Sequence, residues 1–131
     1  MIFKIEIPVY NSFIWVYVEE STESILKHVK KIYGRNAPDD LFDLDEYTDA
    51  RVVIYNGCPR AVIFKGDVTP PIVSHEMLHV VCSLLNNRGL RFSEDSEEAF
   101  CYLLGYLVKE FYKKIKINLE DEKILHIFEP I

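Results

Sequence analysis

The pentad His75-Glu76-Met77-Leu78-His79 constrains this chain more than any other stretch. It has the form HExxH. Residues i and i+4 stack on one face of a helix, so two imidazoles at this spacing meet one ligand only if the segment is helical. Such a pair can hold a single zinc ion. Glu76 lies about 100° round the helix from His75. There it sits beside a metal rather than on it, placed to take a proton from a zinc-activated water. These are the working parts of a zinc hydrolase, most often a peptidase. The alternative is a buried helix that happens to carry two histidines. Against it, only His28 and His126 lie outside the pentad, so half of the four histidines fall inside it.

Catalytic zinc takes three protein ligands and leaves one position open. The third is expected on a second helix. After His79 an apolar helix runs to about Asn86-Asn87-Arg88-Gly89, with Gly89 as the stop. A new helix opens near Ser93 or Ser96 and runs to about Lys114. Its first turns carry Glu94, Glu97 and Glu98. Acids at a helix start are favoured by its dipole, which suffices for Glu94 and Glu97. Glu98 shares a face with Tyr102, Gly105 and Lys109, and a helix-turn-helix would bring it back beside the histidines. It is read as the third zinc ligand, with dipole charge as the alternative. Gly105, lacking a side chain, would let the two helices approach closely.

The region from Thr69 to Tyr112 resembles the gluzincin branch of zincin metallopeptidases, in which HExxH is followed by a glutamate ligand in a Glu-Ala helix. Glu98-Ala99 is similar to that element. Ile7-Pro8-Val9-Tyr10, Val68-Thr69-Pro70 and the run Glu98 to Tyr106 extend the likeness to small, uncharacterised phage-encoded metallopeptidases. The resemblance implies that His75, His79 and Glu98 bind Zn2+ and that Glu76 is the catalytic acid/base. The regulatory peptidases that cleave phage or stress repressors share the same two features.

At 131 residues, 49% of them hydrophobic, the chain is expected to form one domain over residues 1–131 with a single core. A net charge of -6 argues against a nucleic-acid partner. No apolar run is long enough to span a membrane, and charges at Lys4 and Glu6 break any leader-like pattern at the start. Cys58, Cys82 and Cys101 make no disulfide framework. The expected setting is reducing and cytoplasmic, that of a bacterial host if the phage likeness holds. Cys82 lies on the His side but is read as a small core residue.

Strands are expected at Ile2–Val9 and Phe13–Val18, then a helix from Ser21 to Tyr33 stopped by Gly34. Ile25, Leu26, Val29 and Ile32 form its inner face, leaving His28 solvated. Residues 35–50 form an acidic loop. Asp43 and Asp45 there lack the glycine turn and closing glutamate of a calcium loop. Arg51–Tyr55 and Arg60–Lys65 read as a hairpin about Asn56-Gly57. Thr69 would cap the HExxH helix with Pro70 in its first turn, and a short strand is expected at Lys123–Phe128. The fold class is α+β: a small, twisted, mostly antiparallel sheet packed on two or three helices.

The expected chemistry is water-mediated amide hydrolysis of a peptide or protein substrate, with Glu76 shuttling the proton. Tyr102 and Tyr106 are the candidates for stabilising the oxyanion, against the reading that both are core; His126 is another. The strand Arg60–Lys65 is a candidate sheet edge on which an extended substrate could add. A zinc-stabilised binding protein without turnover, for example a phage accessory or host-protein-binding component, is the different class. An intact HExxH favours the enzyme, because structural zinc needs a fourth ligand and no base.

Overall fold

The computed structural model describes residues 1–122 other than 35, 39, 40, 46, 55–58 and 67; for 120–122 it describes the backbone alone. The order is β1 (Ile2–Ile7), a 3-10 turn (Pro8–Tyr10), β2 (Ser12–Val18), α1 (Thr22–Tyr33), β3 (Ala50–Val53), β4 (Ala61–Phe64), α2 (Pro70–Asn87) and α3 (Glu97–Glu122). The chain is α+β, as expected. The final strand expected at Lys123–Phe128, and His126 with it, lie outside the described residues. Among the described residues no helix is long and apolar enough to cross a membrane.

The four strands form one sheet in the order β1-β2-β4-β3. β1–β2 and β3–β4 are antiparallel, but β2 and β4 run parallel, with Trp15 opposite Ala61 and Val18 opposite Phe64. The sheet is therefore mixed. The expected edge, β4, is instead internal: β2 occupies one side of it and β3 the other. Its four residues are all buried, as suits a strand covered on both faces. Among the described residues the edge at this end is β3.

Side-chain alternation sorts the strands between two cores. Phe3, Ile5, Val16, Val62 and Phe64 pack with α2 and α3. Tyr17, Ala61, Ile63 and Val53 face Ile25 and Val29 of α1. Ser21 opens α1 by accepting a 3.1 Å bond from the Ser24 amide, and Gly34 closes it at φ 69°. Ile32 in its last turn is 46% exposed. His28 is not solvated as expected. Its Nδ1 lies 2.9 Å from the Tyr17 hydroxyl, and its ring meets the edge of Trp15 with centroids 4.6 Å apart. In the acidic loop, Asp45 accepts from the Thr48 hydroxyl and the Tyr47 amide, which makes it a turn-former.

α3 buries Phe100, Leu103, Leu107, Phe111, Ile115 and Leu119 on one stripe. It extends a full two turns past the expected Lys114. The opposite stripe, with Glu98, Tyr102, Gly105 and Lys109, is exposed. Gly105 accordingly does not sit in a close helix contact: a Cβ built there meets nothing within 4 Å.

Two expectations follow. Gly105→Ala should stabilise the protein by about 0.5–1 kcal/mol, the helix-interior cost of glycine relative to alanine, read as a higher midpoint in urea. The pH dependence of unfolding should carry the signature of His28. Burial, then the neighbouring Lys31, hold its pKa below 6.5, with Glu20 opposing. The unfolded chain thus takes up the proton first as pH falls. The His28 contribution is present above pH 6.5 and is lost as pH drops below it. Thermal melts across that range should show a steeper acid decline for the wild type than for His28→Gln.

Candidate metal centre

α2 begins at two prolines, which suit a first turn whose N–H groups have no helical partner. Thr69 precedes them in extended conformation, but its side chain makes no capping bond; its carbonyl accepts the first helical bond, from Val73, at 2.9 Å. The helix ends in a Schellman arrangement. The Gly89 amide donates to Asn86 and the Leu90 amide to Leu85, with Gly89 at φ 83°. Between these ends Val73, Met77, Val80, Val81, Leu84 and Leu85 are at most 1% exposed. That stripe fixes the rotation of the helix and leaves His75 and His79 on its outer side.

The two imidazoles converge, with Nε2 atoms 3.2 Å apart. Two nitrogens bound at about 2.0–2.1 Å to a tetrahedral zinc lie roughly 3.3 Å apart, so the pair is spaced for one ion. The same distance allows a hydrogen bond between the rings. Glu76 points to the same region, its Oε1 4.0 Å from His75 Nε2. It is only 7% exposed, one of two buried polar residues in the described core. Burial pushes its carboxyl pKa up, while His75 and His79 pull it down. A carboxylate whose proton affinity is raised in this way is a better base than one in water.

The cleft in front of these residues encloses about 470 Å³, with His75, Glu76, His79 and Ser83 on one wall and Ala50, Arg51, Val52 and Ile54 on the other. The second wall is β3. The Lys65 backbone amide donates to the Asp49 carbonyl at 2.9 Å. The alternation of an antiparallel ladder then puts Arg51 and Val53 in hydrogen-bonded pairs with β4 and turns the N–H and C=O of Ala50 and Val52 outward. No described residue bonds those outward groups. The far edge of the sheet differs, because the Tyr106 hydroxyl donates to the Glu6 carbonyl of β1 at 2.6 Å.

The other expected site residues lie elsewhere. Tyr102 is 75% exposed and lines a groove of about 560 Å³ between the Pro8–Tyr10 turn and α3, together with Tyr10 and Tyr106. That apolar groove is the larger of the two and contains no residue of the pentad. Glu98 shares the exposed stripe of α3 with Tyr102. Among the described residues no three His, Cys, Asp or Glu side chains are grouped as a metal would need. The geometry thus fits zinc at His75 and His79 and does not gather Glu98 with them. Cys82 is half-buried against the core, as expected. Arg51 and Ser83 at the cleft, and Arg60 bonded to Ser83, were not legible as site residues; only the half-exposed pattern of β3 marks it as an edge.

Comparison with known proteins found no matching family model, no matching curated protein and no matching solved structure.

Zinc titration of the purified chain, followed by calorimetry, should give one site that is lost in His75→Ala and in His79→Ala. Glu98→Ala and Glu97→Ala provide the control for the third donor. A loss of affinity confined to Glu98→Ala assigns the ligand there, and equal behaviour of the two variants removes Glu98 from the site.

Proposed function

We propose that this chain is a zinc-dependent peptide hydrolase acting on an extended peptide or protein segment. One observation carries the reading. A converging histidine pair and a buried carboxylate share a cleft whose opposite wall is a strand edge that no described residue pairs with. His75 and His79 would hold the metal. Glu98 is the third donor proposed from the sequence; among the described residues it is not grouped with the pair.

Each group has a separate task. The outward N–H and C=O groups of Ala50 and Val52 bind the main chain of the substrate as an added strand, replacing the role first expected of Arg60–Lys65. This brings an amide carbonyl alongside the histidine pair. Glu76 takes a proton from the attacking water and delivers it to the leaving nitrogen. A zinc ion at His75 and His79 would supply Lewis acidity, making that water acidic enough to ionise near neutral pH and polarising the carbonyl. Tyr102 has no part in this reading, because the core stripe of α3 turns it towards the other groove. The free thiols at Cys82 and Cys101 suit a reducing, cytoplasmic setting.

A zinc-binding protein without turnover is the second reading, favoured by the absence of a third grouped donor among the described residues. It requires four protein ligands, however, which is further from the observed pair than three. It also leaves a buried carboxylate beside the site with no function.

Glu76→Gln separates the two. On the hydrolase reading, zinc content and melting temperature stay near wild type while cleavage of a peptide library, followed by mass spectrometry, falls by a factor of ~100 or more. Wild-type protein that binds zinc and cleaves nothing in the library would favour the binding protein.

A further inference from the structure

The Pro8–Tyr10 turn is fastened to the helices on both sides. Before it, the Glu6 carbonyl accepts from the Tyr106 hydroxyl of α3 at 2.6 Å. At its end, the Tyr10 carbonyl accepts from Arg88, the residue that caps α2. Asn11, at φ 48°, then leads the chain into β2. Between these fastenings lies the groove of about 560 Å³. A groove fixed in this way needs little rearrangement to accept a ligand, which removes one cost of binding. Its walls are apolar and aromatic, with Pro8, Val9 and Tyr10 on one side and Tyr102, Leu103 and Tyr106 on the other. Val9 is 87% exposed and Tyr102 75%. At those exposures they add little to the core. Apolar side chains left open together on facing walls mark a surface that a partner covers.

The two ends of the groove differ in charge. Arg88 stands at the Tyr10 end. At the other end Glu110 follows Tyr106 by one helical turn, on the row that also carries Leu103. Burial, then the negative charges of Glu110 and Glu6, push the Tyr106 hydroxyl pKa up. Glu6 is paired with Lys4 at 3.5 Å. Glu110 forms no ion pair with a described cation. From Ala99 to Tyr106 α3 rises roughly 10 Å, the span of about three extended residues.

We propose that this groove docks a linear segment of a partner protein in which about three apolar residues are flanked by a Lys or Arg, the cation meeting Glu110 beside Tyr106. Charge complementarity selects this occupant. A basic residue there finds an acid with no ion pair and the face of a tyrosine ring. An acidic residue is repelled. The inference does not depend on the hydrolase reading, since the groove contains no residue of the pentad.

The test uses the full chain carrying Glu76→Gln, so that no peptide is turned over at the other cleft. Calorimetry compares three peptides, acetylated and amidated, that share one apolar tripeptide and finish in Lys, Gln or Glu. The expected order of affinity is Lys, Gln, Glu, with at least tenfold between the first and the last. Tyr102→Ala should weaken binding of the Lys peptide at least tenfold. Glu110→Gln should bring the Lys peptide to within twofold of the Gln peptide and leave the Gln peptide unchanged. Melting curves verify that both variants fold. Should Glu110→Gln not fold, loss of the Lys preference in high salt makes the same measurement on the parent. Equal binding of the three peptides by the parent, or no binding, overturns the proposal and leaves the hydrolase reading standing. Binding that Tyr102→Ala leaves unchanged overturns it too, because the peptide then sits elsewhere. Self-association abolished by Tyr102→Ala would give the groove to a second copy, and peptide binding gained only on removal of residues 123–131 would give it to that segment; either result overturns the proposal.

Discussion

The packing of the back of α2 onto the sheet is the contact on which the rest of the centre depends. Six side chains between Val73 and Leu85 are at most 1% exposed. Each such burial is worth roughly 1.5–3 kcal/mol, far more than any cap or surface pair in the chain. With that face fixed, the helix cannot rotate, and the 3.6-residue period places His75 and His79 outward together. Glu76 falls at the boundary between the two faces. Its burial raises the carboxyl pKa, and its Oε1 stays 4.0 Å from His75 Nε2.

The same period explains how much of this could be read from the residues alone. HExxH on a helix, the β-β-α opening and the stop at Gly89 each rest on local chemistry: spacing, caps and turn residues. The sheet order does not, because it depends on which hydrophobic faces find one another across the chain. β4 was expected at an edge and is central, although its sequence Ala61-Val62-Ile63-Phe64 has no polar residue to present to water. β3, with Arg51 in it, did carry the mark of an edge.

α3 taught the same lesson on a helix. Two stripes ran through its sequence, one with Glu98 and Tyr102 and one with Phe100, Leu103, Leu107 and Phe111. The metal motif points to the first as the inner one. The second is apolar at every turn, and the core took it. Tyr102 and Gly105 followed Glu98 to the surface. Arg60 could not have been singled out, since its meeting with Ser83 depends on α2 returning past the start of β4.

The two walls of the cleft have different origins. The histidine pair is made by five consecutive residues and needs only a helical turn to exist. The wall opposite it hangs on β4, and β4 is held in the sheet by its parallel pairing with β2, Trp15 against Ala61. That pairing joins distant parts of the chain, whose closure entropy must be met before any contact rewards it. A peptide cut to the length of α2 would therefore keep the ligand spacing and lose the groove. On the proposed reading, metal affinity and substrate recognition would be separable, one encoded in a pentad and the other in the topology.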